Sequence, residues 1–319
     1  MLNKLPSSVP NYLRRVSLGK QADLRSPLFK SSTDRSVLSA PLQDLIITES
    51  QHLNDLEARE LTKIGPYSIM LPYKDRHKDV MSYFNNPSIP DYPLLGEIVN
   101  YLSDKFGFSR SLRPYGLERV FQNSNKSTNW GLPTFSRGSV SGDVHLNMAA
   151  NFKDHLDIPS IVGWRGQPTG QIPKQRVVWM YPHFIVLKEL QYQMPLLNFL
   201  RTFGEFAAWN ELDFVDREVT RLMNLGTCLS FDASKYDQSI SRTLITHAFQ
   251  FIKNAFQTKY HEEIDVLEGY FSTSSILTPH GIISGRNGAV PSGSGLTNLV
   301  DSIVNLIIAH YACYRQNSN

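Results

Sequence analysis

Apolar residues fall at helical spacing in several separate stretches of the chain. Leu42, Leu45 and Ile46, then Leu53, Leu56, Leu61 and Ile64, predict helices between 41 and 110, in a region that Pro66, Pro72, Pro87, Pro90 and Pro93 break into pieces. Leu196 to Leu225 reads as helical again, with Phe199, Phe203, Phe206 and Ala207 at the right intervals. A long amphipathic helix is predicted from Ile240, Leu244, Ile245, Ala248, Phe249, Ile252, Ala255 and Phe256, and a second one, beginning near Leu296, from Leu299, Val300, Ile303, Val304, Ile307 and Tyr311. Two stretches read as strands. The apolar run Thr227 to Phe231 predicts a buried strand that ends at Asp232, and Ile276 to Val290 reads as a hairpin with a Gly-rich turn. Residues 1 to 40 are rich in Ser, Pro, Lys and Arg with little periodicity and are expected to form an extended arm, while 111 to 190 read as loop-rich and basic. No internal repeat and no long linker is found.

With 319 residues and 41% apolar side chains, the chain can bury a large core in one elaborate domain or two. The net charge of +3 is too small to imply a polyanion partner by itself, but its distribution is uneven. From Arg221 onward basic and acidic residues balance, so the excess lies upstream. Only Cys228 and Cys313 occur, with no Cys-x-x-Cys and no dense His cluster, which argues against a disulfide framework or a structural zinc site. The opening residues lack the apolar core of a secretory signal, and Asp301 and Asn305 interrupt the most apolar late stretch, so no membrane span is expected. Leu306 to Tyr314 reads as a helix still in progress near Asn319, from which we expect a longer polypeptide.

Three local patterns carry candidate chemistry. In Phe231-Asp232-Ala233-Ser234-Lys235-Tyr236-Asp237-Gln238-Ser239, two carboxylates stand where a strand gives way to a turn and helix. Carboxylates fixed at a strand end can hold magnesium against phosphates, although the same residues could simply cap the turn and the helix. In Pro291-Ser292-Gly293-Ser294-Gly295-Leu296-Thr297, a small-residue loop feeds a helix on which Thr297, Asp301 and Asn305 stand four apart, on one slowly drifting stripe. Such a loop offers backbone N–H groups to phosphate or ribose oxygens, or it is a flexible connection. Ile158 to Lys188 contains no acid but holds Arg165, Lys174, Arg176 and Lys188. A strand over Lys174 to Trp179 would put Lys174 and Arg176 on one side, which suits a triphosphate or, equally, a solvated edge strand.

Their order is more specific than any one of them. Lys174-x-Arg176-x-Val178-Trp179, then Asp232-x-Ser234-x-Tyr236-Asp237-Gln238-Ser239, then Gly288-Ala289-Val290-Pro291-Ser292-Gly293-Ser294-Gly295-Leu296-Thr297 through Asp301 and Asn305, resemble the F, A and B motifs of viral RNA-dependent RNA polymerases of the picobirnavirus and partitivirus group. Thr128-Asn129-Trp130-Gly131-Leu132-Pro133 is similar to the G motif at the template channel. Asp301 stands where many related polymerases carry Asn, and the Gly-Asp-Asp of the C motif is missing from these residues, which reads as a partial sequence that would not polymerise alone.

The resemblance implies an α+β right-hand polymerase fold, fingers and part of the palm, with the thumb absent. Its expected divisions are an extended arm over 1–40, fingers over 41–220, palm over 221–239, a connection over 240–285 and palm again over 286–319. The implied reaction is template-directed transfer of a nucleotide from a nucleoside triphosphate to an RNA 3′-hydroxyl, with magnesium, or manganese in its place, as cofactor. Asp232 is the implied metal ligand, and Asp232 and Asp237 the catalytic carboxylates. Arg165, Lys174, Arg176, Asp237, Ser292, Gly293, Thr297, Asp301 and Asn305 would bind the nucleotide, and Gly131 and Pro133 the template. Implied partners are template and nascent RNA, nucleoside triphosphates and a viral capsid protein, in the virion interior or the host cytoplasm. The alternative class is a non-catalytic RNA-binding or capsid-associated protein that grips phosphate without metal. A reverse transcriptase is a weaker third reading, because it would usually carry a bulky residue in place of Asp237.

Overall fold

The structure is a computed structural model that describes residues 5–23, 50–61, 67–167, 174–226, 228 and 230–317. The predicted helix around Leu42, Leu45 and Ile46 and the Ile64 end of the next one lie outside these residues, while Gln51–Leu61, which carries Leu53, Leu56 and Leu61, is helical as read. Where apolar periodicity is cleanest the helices form as read. The Arg242–Ala255 helix begins at Ser241, whose side chain accepts a hydrogen bond from Leu244 N–H at 3.3 Å. The cap is therefore Ser241, and Asp237 is left for other work. The helix buries Ile245, Ala248, Phe249 and Ile252. It packs against the Pro93–Lys105, His261–Thr273 and Thr297–Asn317 helices, which contribute Ile98, Val99, Leu102, Phe271, Ile303, Val304 and Ile307 to the same core. Each such side chain contributes roughly 1.5–3 kcal/mol of transfer free energy, so this bundle is the rigid base of the molecule.

β1 (Lys20–Asp23) pairs antiparallel with β2 (Tyr67–Met70), and a four-stranded sheet covers one side, in the order β4 (Lys174–Met180), β3 (Ser160–Gln167), β5 (Ile276–Thr278), β6 (Gly281–Ile283). β3 pairs antiparallel with β4 from Ile161↔Met180 to Gln167↔Lys174 and parallel with β5, and β5 and β6 form the expected hairpin. In β4 Gln175, Val177 and Trp179 are buried while Arg176 is exposed, the alternation of a strand with one covered face. The Gly-rich stretch after β6 is no part of the hairpin turn; it wraps a buried cation. Arg286 is 1% exposed and donates from Nη1 to Gly288 O (2.8 Å) and Ala289 O (2.6 Å), and from Nη2 to Phe271 O (2.6 Å) and Ser274 Oγ (2.9 Å), with its guanidinium 4.8 Å from the Trp179 ring centroid. Phe271 lies in the last turn of the 261–273 helix, so the cation satisfies a carbonyl that the helix cannot. On the same side Asn86 joins the 285–287 segment, donating to Gly285 O (3.0 Å) and accepting from Asn287 N–H (2.7 Å).

Four expectations change. The arm is helical over Ser8–Leu18, where Val9 and Val16 are fully buried and Tyr12 donates to Val162 O at 2.9 Å. Val9, Tyr12, Leu13 and Val16 form a helical stripe that packs on β3, so spacing outweighed the polar composition. The 111–190 region contains the Leu117–Asn123 and Gly138–Ala150 helices beside β3 and β4. The predicted 196–225 helix is two helices, His183–Leu200 and Leu212–Met223, joined through a 3₁₀ turn at Gly204–Trp209. Finally, of the expected Thr227 to Phe231 strand, Thr227 and Leu229 lie outside the described residues, while Phe231 is 67% exposed and Ser230 to Asp232 is irregular. No described strand lies beside it, and a single extended segment cannot satisfy its own backbone groups.

Candidate active site

Four distant segments meet around one cleft of about 740 Å³, a size suited to a nucleotide-sized ligand. β4 contributes Gln175, Arg176 and Val177; the Tyr73–Met81 helix contributes Arg76 and Asp79, with Tyr83 just beyond it; the 232–238 loop and turn contribute Asp232 and Asp237; and the start of the 297–317 helix contributes Thr297, Asn298 and Asp301, with Ser292 before it.

Backbone bonds fix these segments against one another. Val290 N–H donates to Asp237 O (2.7 Å) and Ala289 N–H to Ile240 O (2.8 Å), so the two carboxylate-bearing stretches are tied side by side. Lys235, at φ 54°, makes the sharp turn that separates Asp232 from Asp237. The small-residue loop is clamped at both ends: Trp179 N–H donates to Ser292 O (2.9 Å), and Gly295 N–H donates to the buried Glu189 carboxylate (2.6 Å). Gly293 has φ 149°, and a Cβ there would overlap the Trp179 carbonyl oxygen, so the loop meets β4 where only glycine fits. The Thr297 hydroxyl reaches Pro291 O (2.7 Å) and Ser294 O (3.1 Å); its one proton serves the loop, and toward a ligand it can only accept.

The electrostatics follow from burial. Asp237 is half-buried, and desolvation raises its pKa against the opposing pull of Arg176. Desolvation, together with the Asp237 charge, pushes Asp301 up to about 8, so at neutral pH Asp301 is largely a neutral acid that can donate. Its Oδ1 is buried with no hydrogen-bond partner. Asp232 is exposed at the mouth. The anionic donors of the lining are all carboxylates, without thiolate or imidazole, which fits a hard cation such as magnesium. Among the described residues no three His, Cys, Asp or Glu side chains gather into a ready-made ion site.

Of the residues read from the sequence, Arg176, Asp232, Asp237, Ser292, Thr297 and Asp301 line the cleft, and Gly293 lies under it against β4. Arg165 is exposed and directly opposite Arg176 across the ladder, off the cleft lining but on the same sheet face. Lys174 lies at the β4 start opposite Gln167, and its side chain is outside the described ones. Asn305 is exposed and away from the cleft. Eight residues turn a helix about 80° past a whole number of turns, enough to carry it off the face of Thr297. Gly131 is also apart from the lining; it is buried at φ 69° against Tyr181 O, with Pro133 half-buried beside it. Sequence reading missed Arg76, Asp79 and Tyr83, because a helix bearing Lys74, Asp75, Arg76, Lys78 and Asp79 has the composition of a solvated face.

Residues 144–319 match the family described as viral RNA-dependent RNA polymerase. The chain is 27% identical to the potential RNA-dependent RNA polymerase of Human picobirnavirus (strain Human/Thailand/Hy005102/-), over 96% of this chain and 62% of the relative. It is 29% identical to the RNA-directed RNA polymerase of Cryptosporidium parvum virus 1 (strain KSU-1), over 71% of this chain and 46% of the relative. It thus spans about three fifths or less of the curated relatives it matches. The crystal structure of the RNA-dependent RNA polymerase of a human picobirnavirus superposes with a TM-score of 0.75 at 25% identity, over 98% of this chain and 63% of that one. An insertion loop deletion mutant of such a polymerase gives 0.75 at 24%, over 97% and 66%. The α+β right-hand polymerase fold expected from the sequence is the one this likeness supports, and no described helix is long and apolar enough to cross a membrane. With the family matched over more than half of its length, the chain belongs to the viral RNA-dependent RNA polymerases.

Proposed function

We propose that the cleft takes a nucleoside triphosphate and a divalent cation for template-directed RNA synthesis. The observation that carries this reading is the convergence of Asp232, Asp237 and Asp301 with Arg176 and Ser292 in one cleft of nucleotide size, from segments up to 125 residues apart (Arg176 to Asp301). In the reaction an RNA 3′-oxygen bonds to the α-phosphorus, the bond from that phosphorus to the bridging oxygen breaks, pyrophosphate leaves with the electron pair, and the hydroxyl proton passes to solvent. Magnesium, when bound, supplies Lewis-acid activation of the hydroxyl and neutralises the leaving phosphates. Asp232 is the carboxylate at the mouth that would hold it. Arg176 lies along the triphosphate, with Arg165 and Lys174 extending the same basic strand pair toward incoming phosphates.

Asp237 faces the ribose as an acceptor for the 2′-hydroxyl, Asp301 donates as the neutral acid, and Ser292 closes the other side. In this frame 41–220 with 240–285 serve as fingers, 221–239 with 286–319 as palm, and Gly131 and Pro133 border the template path. The test is Asp232→Ala in the polymerase that carries this sequence: RNA synthesis should disappear while template retention stays near normal. Near-normal synthesis would remove the metal assignment, and metal-independent retention of RNA as the sole activity would favour a binding protein.

A further inference from the structure

Arg76 lies 99 positions before Gln175, and its Nη2 donates to the Gln175 carbonyl oxygen at 2.7 Å. On the other side of the same residue, Leu71 N–H donates to Gln175 Oε1 at 3.2 Å. The segment from 71 to 76 is therefore fastened to β4 immediately before Arg176, and Arg76 and Arg176 line one wall of the cleft. The Arg76 guanidinium also lies 5.7 Å from the Trp164 ring centroid. Its Nη2 makes a second contact, a 2.7 Å ion pair with Asp79 three residues on, while its Nε is buried without a hydrogen-bond partner. A guanidinium has five N–H donors, so this fork is held firmly in place while part of its donor capacity is unmet.

The two contacts differ in strength. The bond to Gln175 O joins a cation to a strand carbonyl and is fixed by the fold. The Asp79 pair is an i,i+3 helical pair with a third of the Asp79 side chain exposed, and pairs of this kind on a solvated helix face contribute little. A triphosphate bears several negative charges and many acceptor oxygens, so it outcompetes a single partly exposed carboxylate for the fork. Ordering the arginine costs nothing further at that moment, because Gln175 and Trp164 already hold it.

We infer that Arg76 is a second guanidinium of the triphosphate site, occupied by Asp79 when the cleft is empty and transferred to the phosphates beside Arg176 when a nucleotide enters. This rests on the reading of the cleft as a triphosphate site. A brace for β4 would need only the bond to Gln175; a phosphate ligand must also exchange Asp79 for the incoming anion.

The experiment is calorimetric titration of the polymerase that carries this sequence with inorganic tripolyphosphate and with magnesium GTP, at two salt concentrations. Arg76→Ala should weaken binding about tenfold, Arg76→Lys by less, and Asp79→Asn should tighten it roughly two- to fivefold by removing the competitor. Arg176→Ala is the control for the cleft itself. If Arg176→Ala weakens binding while Arg76→Ala and Asp79→Asn leave it unchanged, Arg76 is only a brace and the inference fails alone. A loss in Arg76→Ala without a gain in Asp79→Asn overturns it as well. If Arg176→Ala changes nothing, the triphosphate reading fails first and this inference with it. Should Arg76→Ala not fold, Asp79→Asn, which retains the β4 contact, decides the matter by its gain or lack of one.

Discussion

Replacing the buried Arg286 by Met should be among the costliest single changes in this chain. Met keeps most of the aliphatic stem, so the core loses little volume, but all donors of the guanidinium vanish. Gly288 O, Ala289 O, Phe271 O and Ser274 Oγ would lose bonds of 2.6 to 2.9 Å at a site 1% exposed, where water cannot replace them without opening the core. An unsatisfied buried acceptor costs about 1–3 kcal/mol; Ser274 Oγ keeps the Tyr181 hydroxyl, and the three carbonyls share one pocket that can relax together, so we expect about 4 kcal/mol in all. That is a large part of the roughly 5–15 kcal/mol that holds a typical domain folded. Urea unfolding followed by tryptophan fluorescence, comparing midpoint and slope with the parent chain, measures it. Arg286→Lys, which keeps the charge but reaches fewer of the oxygens, should fall between the two. A loss below about 1 kcal/mol for Arg286→Met at unchanged slope would refute the accounting, because it would mean the carbonyls find other donors.

Gly293→Ala should force the loop off β4, since its Cβ would overlap Trp179 O; the expected result is a loss of 1–3 kcal/mol in thermal unfolding and slowed RNA synthesis. Asp237→Ala should cut ribonucleotide use far more than deoxyribonucleotide use, and an unchanged ratio in a competition assay would make Asp237 structural. Burial pushes His145 down to about 4 and His183 to about 3, from 6.5. Between those values the unfolded chain binds more protons, so their contribution is complete above pH 6.5 and lost as pH falls toward 4, which urea midpoints across that window will follow. Burial pushes Glu189 the other way, from 4.5 up to about 8, so stability should decline as pH rises through that range, and Glu189→Gln, which can still accept from Gly295 N–H, should flatten that limb.

Sequence patterning reached the helices at 242–255 and 297–317 because each keeps one apolar face over several turns, and it reached β4 because cations alternate there with buried residues. The order of Arg176, Asp232 and Ser292 to Thr297 was legible because those segments carry their chemistry in short spacings. What remained hidden depends on long-range pairing. Nothing local in Tyr73 to Met81 marks Arg76, whose meaning comes from a carbonyl at Gln175. Phe231 has the composition of a buried strand residue, yet it is exposed and no described strand lies beside it. Asn305 keeps the interval of Thr297 and Asp301 but drifts off their face, as a spacing of four does on a helix of 3.6 residues per turn. Glu189 carried no motif, and only the loop it holds shows why a carboxylate is buried there.

The bonds from Leu71 and Arg76 to Gln175, and from Asn86 to the 285–287 segment, also set a schedule for synthesis. Their partners lie 104, 99 and 199 to 201 positions apart. At roughly 5–20 residues per second on a ribosome, the 71–86 segment waits about 5–20 seconds for β4 and about 10–40 seconds for the stretch around Arg286. Tyr73, Val80 and Tyr83 are buried in the finished fold in one core with Trp179, so their cover stays incomplete throughout that interval. Slower translation between 86 and 285 should therefore lengthen the exposure of this apolar surface and lower the yield, and faster translation, which brings Gly285 and Asn287 to Asn86 sooner, should raise it.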